Sequence, residues 1–289
     1  ATDRGGRALA ATLARADGEV FASDTTRLAS ASESDFGDYI DLTFPPVTTG
    51  DSVALVFRLR NSLLNTVLLY DVMLGSRAGR ALDWQGRDLN RMAPAVALGN
   101  WYAGRMGLRV LVPGDTGYRE VGKVRDTGPI AWKDVAVVLT RPGNDSVRIR
   151  LAFAVDNWRI DQVRLAGRVR QPVVRVLPLA RVDGGDASPD DSALSAMRSR
   201  DRQYLETRPG QHFTAVWETG TAPAGVERTY LLAAQGYYTE WIRGGWLATA
   251  RDTTPFTPGD AALVRAMHQW RRAQDSLEAR FYASRIPVR

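Results

Sequence analysis

From Asp38 to about residue 176 the chain alternates apolar and polar positions with a period of two. Ile40, Leu42 and Phe44 alternate with Tyr39, Asp41 and Thr43, and Val53, Leu55, Phe57 and Leu59 follow with Arg58 and Arg60 facing out. Leu108, Val110 and Val112 repeat the pattern, as do Val135, Val137 and Leu139. Val147, Ile149, Leu151 and Phe153 then alternate with Arg148 and Arg150. Each set predicts a strand with one buried face. Pro45-Pro46, Gly50-Asp51, Pro113-Gly114-Asp115 and Pro142-Gly143-Asn144-Asp145 supply the turns between them. Residues 68–74 are apolar on both faces, which predicts a central strand. In residues 157–165 the apolar set changes phase between Ile160 and Val163, which predicts a bulge near Asp161-Gln162. Many short strands without long intervening helices predict a mainly β fold: an antiparallel β-sandwich, of jelly-roll type, with C-terminal helical additions.

The flanks read differently. Residues 1–35 are rich in Ala, Ser, Thr and charge and read as an N-terminal arm, with a short helix expected over 7–14. The sandwich is expected over 36–176 and an α+β extension over 177–289. Within the extension, Ser188-Pro189-Asp190-Asp191 reads as a helix start with a serine cap. Residues 213–217 and 228–235 read as strands. Thr257-Pro258-Gly259-Asp260 opens a long final helix. On it Leu263, Met267, Trp270, Leu277 and Phe281 fall on one line and Arg265, Arg272 and Ser276 opposite, so the apolar stripe must dock on its own chain or on a partner.

Composition narrows the chemistry. The chain has 289 residues, 44% hydrophobic and 24% charged, which is globular. The absence of cysteine excludes disulfides, thiolate zinc, cysteine-ligated clusters and a cysteine nucleophile. The net charge is +6, and of 38 basic residues only Lys123 and Lys133 are lysines. Arginine forks suit carboxylates and phosphates, so acidic protein surfaces or anionic lipid headgroups are the expected partners. No basic tail points to nucleic acid. No run of about 20 apolar residues predicts a membrane span. No secretory leader is legible at the start, and whether one was removed is left open.

No site announces itself. His212 and His268 are the only histidines and are far apart, so neither a metal centre nor a directly ligated pigment or haem is expected. Asp183, Asp186, Asp190 and Asp191 crowd one loop and are candidate calcium ligands, but their spacing fits no known loop. A glycoside hydrolase or lyase needs two facing carboxylates, and the candidates are Asp156 and Asp161, which flank the Trp158 strand, and Glu240, between Tyr238 and Trp241. Phosphate-loop and Gly-x-Ser-x-Gly patterns are absent. The aromatic cluster Tyr237, Tyr238, Trp241 and Trp246 suits protein contact, sugar stacking, insertion at a membrane interface or internal packing, and these four are the candidate partner anchors. Trp84, Trp101, Trp132 and Trp158 are expected in the core or at its rim.

Three stretches carry a resemblance: residues 59–74, residues 126–135 (Asp126-Thr127-Gly128-Pro129-Ile130-Ala131-Trp132-Lys133-Asp134-Val135) and residues 236–241 (Gly236-Tyr237-Tyr238-Thr239-Glu240-Trp241). They resemble a module of uncharacterised exported proteins of Gemmatimonad bacteria, and residues 156–167 are similar to the closing strand of galactose-binding-like jelly rolls. The arginine bias fits such a source. The chain also resembles the extrinsic, non-pigmented accessory subunits of the Gemmatimonad photosynthetic reaction-centre–light-harvesting supercomplex. That likeness implies a periplasmic, peripheral, non-catalytic subunit with no cofactor, bracing reaction-centre and antenna chains at a membrane surface. It carries over no catalytic residue. The alternatives are a carbohydrate-binding β-sandwich module and a glycoside hydrolase or lyase.

Overall fold

The computed structural model describes residues 1–29, 32, 35–47, 52–73, 91–140, 146–167, 174–208, 210–226, 228–236 and 259–283. The chain divides into two compact units. One comprises Ala1–Arg170 with Ile242–Phe281, and the other Gln171–Trp241 with Tyr282–Arg289. The final helix therefore belongs with the sandwich and not with the extension in which the sequence placed it.

In the first unit, β1 (Thr2–Asp3), β2 (Gly37–Phe44), β4 (Leu108–Gly114), β5 (Gly117–Val124) and β7 (Val147–Ala154) form a five-stranded sheet in the order β1-β2-β7-β4-β5. A three-stranded sheet has β3 (Ser52–Asn61) between β6 (Lys133–Thr140) and β8 (Trp158–Ala166). All pairings are antiparallel. Ile40, Leu42, Leu108, Val110, Ile149 and Leu151 of the larger sheet share one core with Leu55, Phe57, Leu59, Trp158 and Ile160 of the smaller. The antiparallel two-sheet architecture expected from the alternation is thus what the chain builds. The expected bulge is present. Arg58 faces Gln162 and Leu59 faces Ile160, so Asp161 is the extra residue.

Three expectations fail locally, and one helix was not expected at all. Residues 1–29 are not a free arm: Leu9, Leu13, Phe21 and Leu28 are buried. Phe21 exchanges backbone hydrogen bonds with Ile160, and Val163 N–H donates to Leu13 O, so this segment covers the outer edge of β8. Residues 10–14 form turns and not the expected helix. The apolar run expected as a central strand is instead a short helix α1 (Leu64–Thr66) leading into a π-helical turn (Val67–Met73). Leu64, Leu68 and Val72, four apart, are buried, and a continuous apolar run cannot by itself tell strand from buried helix. Helix α2 (Met92–Arg105) has no expectation behind it: none of its side chains is fully buried, and it lays only Leu98, Trp101 and Tyr102, half-buried, against the second apolar cluster.

Helix α4 (Asp260–Ala283) docks its stripe on its own chain. Leu263, Ala266, Met267 and Trp270 are buried beside Leu64, Val67, Leu68, Met106 and Val155, with Leu277 and Phe281 packed at the margin. Asp260 in its first turn accepts hydrogen bonds from Trp101 Nε1 at 2.9 Å and Arg105 Nε at 3.0 Å, which ties α4 to α2. Among the described residues no helix is long and apolar enough to cross a membrane.

The second unit contains the antiparallel pair β9 (Arg181–Asp183) and β10 (Thr214–Val216) and helix α3 (Asp191–Arg198). The cap of α3 is Asp190, not Ser188. Its Oδ1 accepts from Ala193 N–H at 2.8 Å, while Pro189 is held in a β-bridge to Asp183 and the helix starts only beyond it. Leu179, Val182 and Ala193 are its buried apolar residues, with Leu205, Phe213 and Trp217 against them.

Candidate functional site

The four anchors expected from the sequence, Tyr237, Tyr238, Trp241 and Trp246, lie outside the described residues, as do Trp84 and Glu240. The stretch just before them is described, and it is unusual. Residues 228–235 read as a strand, yet they find no partner strand, and among the described residues 228–236 make no backbone–backbone hydrogen bond. Arg228 gives the segment its shape. Its guanidinium donates to three successive carbonyls: Thr219 O at 2.8 Å, Gly220 O at 3.0 Å and Thr221 O at 2.8 Å. Hydrogen bonds from Thr219 and Arg228 also hold the Tyr230 hydroxyl below its ordinary pKa. Beyond this clamp, Tyr230, Leu231 and Leu232 are 60%, 87% and 74% exposed. Val174, Val176, Tyr204 and Val226 of the same unit are exposed as well.

An isolated exposed leucine needs no explanation, but consecutive large apolar side chains on backbone without hydrogen-bond partners are the makings of a docking segment. The sequence did contain a signal for it. Tyr230-Leu231-Leu232-Ala233-Ala234 has no period of two, so it could not be a half-buried strand.

The buried polar groups of the first unit are internally committed. Asp156 is fully buried and has a left-handed backbone at φ 58°. Its Oδ1 accepts from Arg159 at 2.6 Å and its Oδ2 from Trp270 Nε1 at 2.6 Å, and Arg159 reaches Glu278 of α4 at 3.7 Å. Asp161, the bulge residue, accepts from Gly18 N–H at 3.2 Å and pairs with Arg58 at 3.3 Å. The two carboxylates considered for sugar hydrolysis are therefore each tied to a cation and to a distant part of the chain. In the acidic loop, Asp183 pairs with Arg181, Asp186 accepts from Ser188 N–H and Asp190 caps α3. No group of three His, Cys, Asp or Glu among the described residues comes together as a cation site. His212 is exposed beside Gly185, and His268 is half-buried on α4.

Two of the resemblance stretches meet. Asn61 Oδ1 accepts from Thr127 N–H and Oγ1–H, and Asn65 Nδ2 donates to Asp126 Oδ1. Arg60 donates to Pro129 O and stacks its guanidinium 5.1 Å from the Trp132 ring centre. Tyr102 donates to Asp126 Oδ2 at 3.0 Å, and burial, with the Asp126 charge behind it, pushes the phenol well above its ordinary pKa. Trp158 is in the core, donating to Met106 O, and Trp101 lies half-buried on α2.

On the outer face of the larger sheet, Arg150 lies between the rings of Tyr39 and Tyr118, 3.8 and 4.2 Å from their centres, and is paired bidentately with Asp41 at 2.7 Å. This stack joins residues that occupy outward positions of the alternation and face each other in the register, Asp41 against Arg150. No family model, no curated protein and no solved structure matches the chain.

Proposed function

We propose that this chain is a non-catalytic, extrinsic scaffold subunit that holds protein partners, and that residues 228–236 are its docking segment. The observation that carries the reading is the run Tyr230-Leu231-Leu232, exposed to solvent on a segment shaped by Arg228. Burying each leucine against a partner contributes about 1.5–3 kcal/mol. Unpaired backbone beside it is available for strand addition. The anchors Tyr237, Tyr238, Trp241 and Trp246 follow directly in sequence and would extend the same contact. The sequence resemblance supplies the assembly: reaction-centre and antenna chains of the Gemmatimonad photosynthetic supercomplex, braced from the periplasmic side of the membrane.

The test is gentle solubilisation of native membranes at low salt, followed by separation of intact complexes. The expected result is co-migration of the chain with pigment-bearing subunits, lost in the double variant Leu231→Asp, Leu232→Asp although that variant melts at the wild-type temperature. A chain that runs alone in the soluble fraction, or a double variant that still co-migrates, refutes the reading.

A further inference from the structure

Helix α4 has a second face that the core does not use. Opposite the buried stripe, Arg265, His268, Gln269 and Arg272 follow at positions i, i+3, i+4 and i+7 and line one side of a groove of about 470 Å³. Val264 and Val72 give it an apolar floor, and Asp71 of the π-helical turn stands at its rim. Several arginines of this unit are paired, Arg4 with Asp35, Arg27 with Asp38, Arg105 with Asp260 and Arg150 with Asp41, whereas others, such as Arg109 and Arg148 on the sheet, stand singly among the described residues. Arg265 and Arg272 are exposed, and neither guanidinium makes an ion pair or hydrogen bond among the described residues.

We infer that this groove is a binding site for a phosphate-bearing anion. Two guanidiniums seven residues apart, two turns along one face of α4, line the same groove, and the Gln269 amide adds a neutral donor. A single carboxylate is satisfied by one fork. A phosphate group presents enough oxygen acceptors, arranged tetrahedrally, to use both. Asp71 and His268 already interact with other groups of the chain. With two guanidiniums against the single carboxylate of Asp71, the groove's lining is net positive and suits a phosphodiester or phosphomonoester. The apolar floor accommodates the carbon skeleton that such a group carries. The phosphate belongs either to a lipid headgroup or to a small soluble ester. The inference stands apart from the scaffold reading, since it uses neither residues 228–236 nor a protein partner.

The experiment uses the full chain in two arms: titration with glycerol 3-phosphate, and flotation with vesicles of phosphatidylcholine containing phosphatidylglycerol. Binding in the first arm alone identifies a soluble ester, and binding to vesicles identifies the headgroup; either supports the site. In whichever arm binds, Arg265→Gln with Arg272→Gln weakens binding by roughly tenfold or more. Arg109→Gln with Arg148→Gln removes the same charge from exposed sheet positions and leaves binding within about twofold. The inference is overturned if the wild-type chain binds neither probe, if the two double variants lose affinity equally, or if a hexaglutamate peptide binds more tightly than either phosphate probe.

Discussion

The substitution Asp156→Asn isolates what fastens α4 to the sandwich. It changes neither side-chain volume nor backbone fit, because asparagine tolerates the left-handed conformation that Asp156 adopts at φ 58°. What it removes is the negative charge that Arg159 meets at 2.6 Å and one acceptor in balance with Trp270 Nε1, also at 2.6 Å. Arg159 is only 6% exposed, so water does not replace the lost partner. Breaking one side of a buried ion pair costs about 3–5 kcal/mol. Arg159 keeps contacts to Asp156 O at 3.2 Å, Trp158 O at 3.3 Å and Glu278 at 3.7 Å, which places the expected loss at the lower end, about 3 kcal/mol. Urea unfolding followed by the amide exchange of α4 reads this directly: the midpoint falls, the slope does not change, and protection of residues 263–270 falls with it. In a Trp270→Phe background the same substitution costs about 1 kcal/mol less, because part of the network is already gone. A loss below about 1 kcal/mol, or strict additivity with Trp270→Phe, refutes the account of this cluster.

Gly122→Ala places a Cβ 2.3 Å from Val137 Cγ1; it lowers stability by about 1–3 kcal/mol, and Val137→Ala in the same chain restores most of it, both measurable by thermal melts. Arg228→Ala frees three carbonyls at 2.8–3.0 Å, so chymotryptic cleavage at Tyr230 rises severalfold without a change in global melting. Arg228→Lys does not restore the wild-type rate, because one ammonium lacks the geometry of the fork. The Asp35 carboxyl is held below its ordinary pKa, first by its hydrogen bond from Arg4 and then by the charge of Arg4. A depressed carboxylate contributes stability above its unfolded pKa and loses it as pH falls through the folded one. The tie between the first residues and β2 is therefore complete above about pH 4 and fades below it. Because the pair is exposed the effect stays under about 1 kcal/mol, and its absence in Asp35→Asn, followed by amide exchange of residues 3–9, checks it.

Strands with one face on the core were legible because burial imposes the alternation: Leu55, Phe57 and Leu59 of β3 and Ile149, Leu151 and Phe153 of β7 all point into the shared core. The bulge was legible for the same reason, since inserting Asp161 shifts the phase of every later side chain. Residues 67–73 were not, because an apolar run broken only by Tyr70 and Asp71 suits a strand as well as a helix, and the four-residue spacing of Leu64, Leu68 and Val72 shows only in what is buried. Helix α2 was not, because it buries no continuous face. In the N-terminal segment Leu9, Leu13, Phe21 and Leu28 are few among polar residues and are carried by turns and a short 3-10 stretch, so the segment read as an arm. The arginine face of α4 was visible as the side opposite its apolar stripe. That Asp71 lines the same groove from almost two hundred positions away is something no local pattern encodes. Residues 228–235 read as a strand on Thr229, Tyr230 and the apolar run after them, but no partner strand for them exists among the described residues.

The division of the chain also sets an order on its synthesis. The second unit is threaded between β8 and α4, so about 70 residues, 171 to 241, leave the ribosome after the last strand of the sandwich and before the helix that completes its second apolar cluster. At roughly 5–20 residues per second that is an interval of several seconds. Throughout it Leu64, Leu68, Met106 and Val155 have no Trp270 or Met267 to cover them. A nascent chain arrested before residue 260 is thus a sandwich with an open greasy flank, a natural client for a holding chaperone, and release of that chaperone should wait on translation of α4.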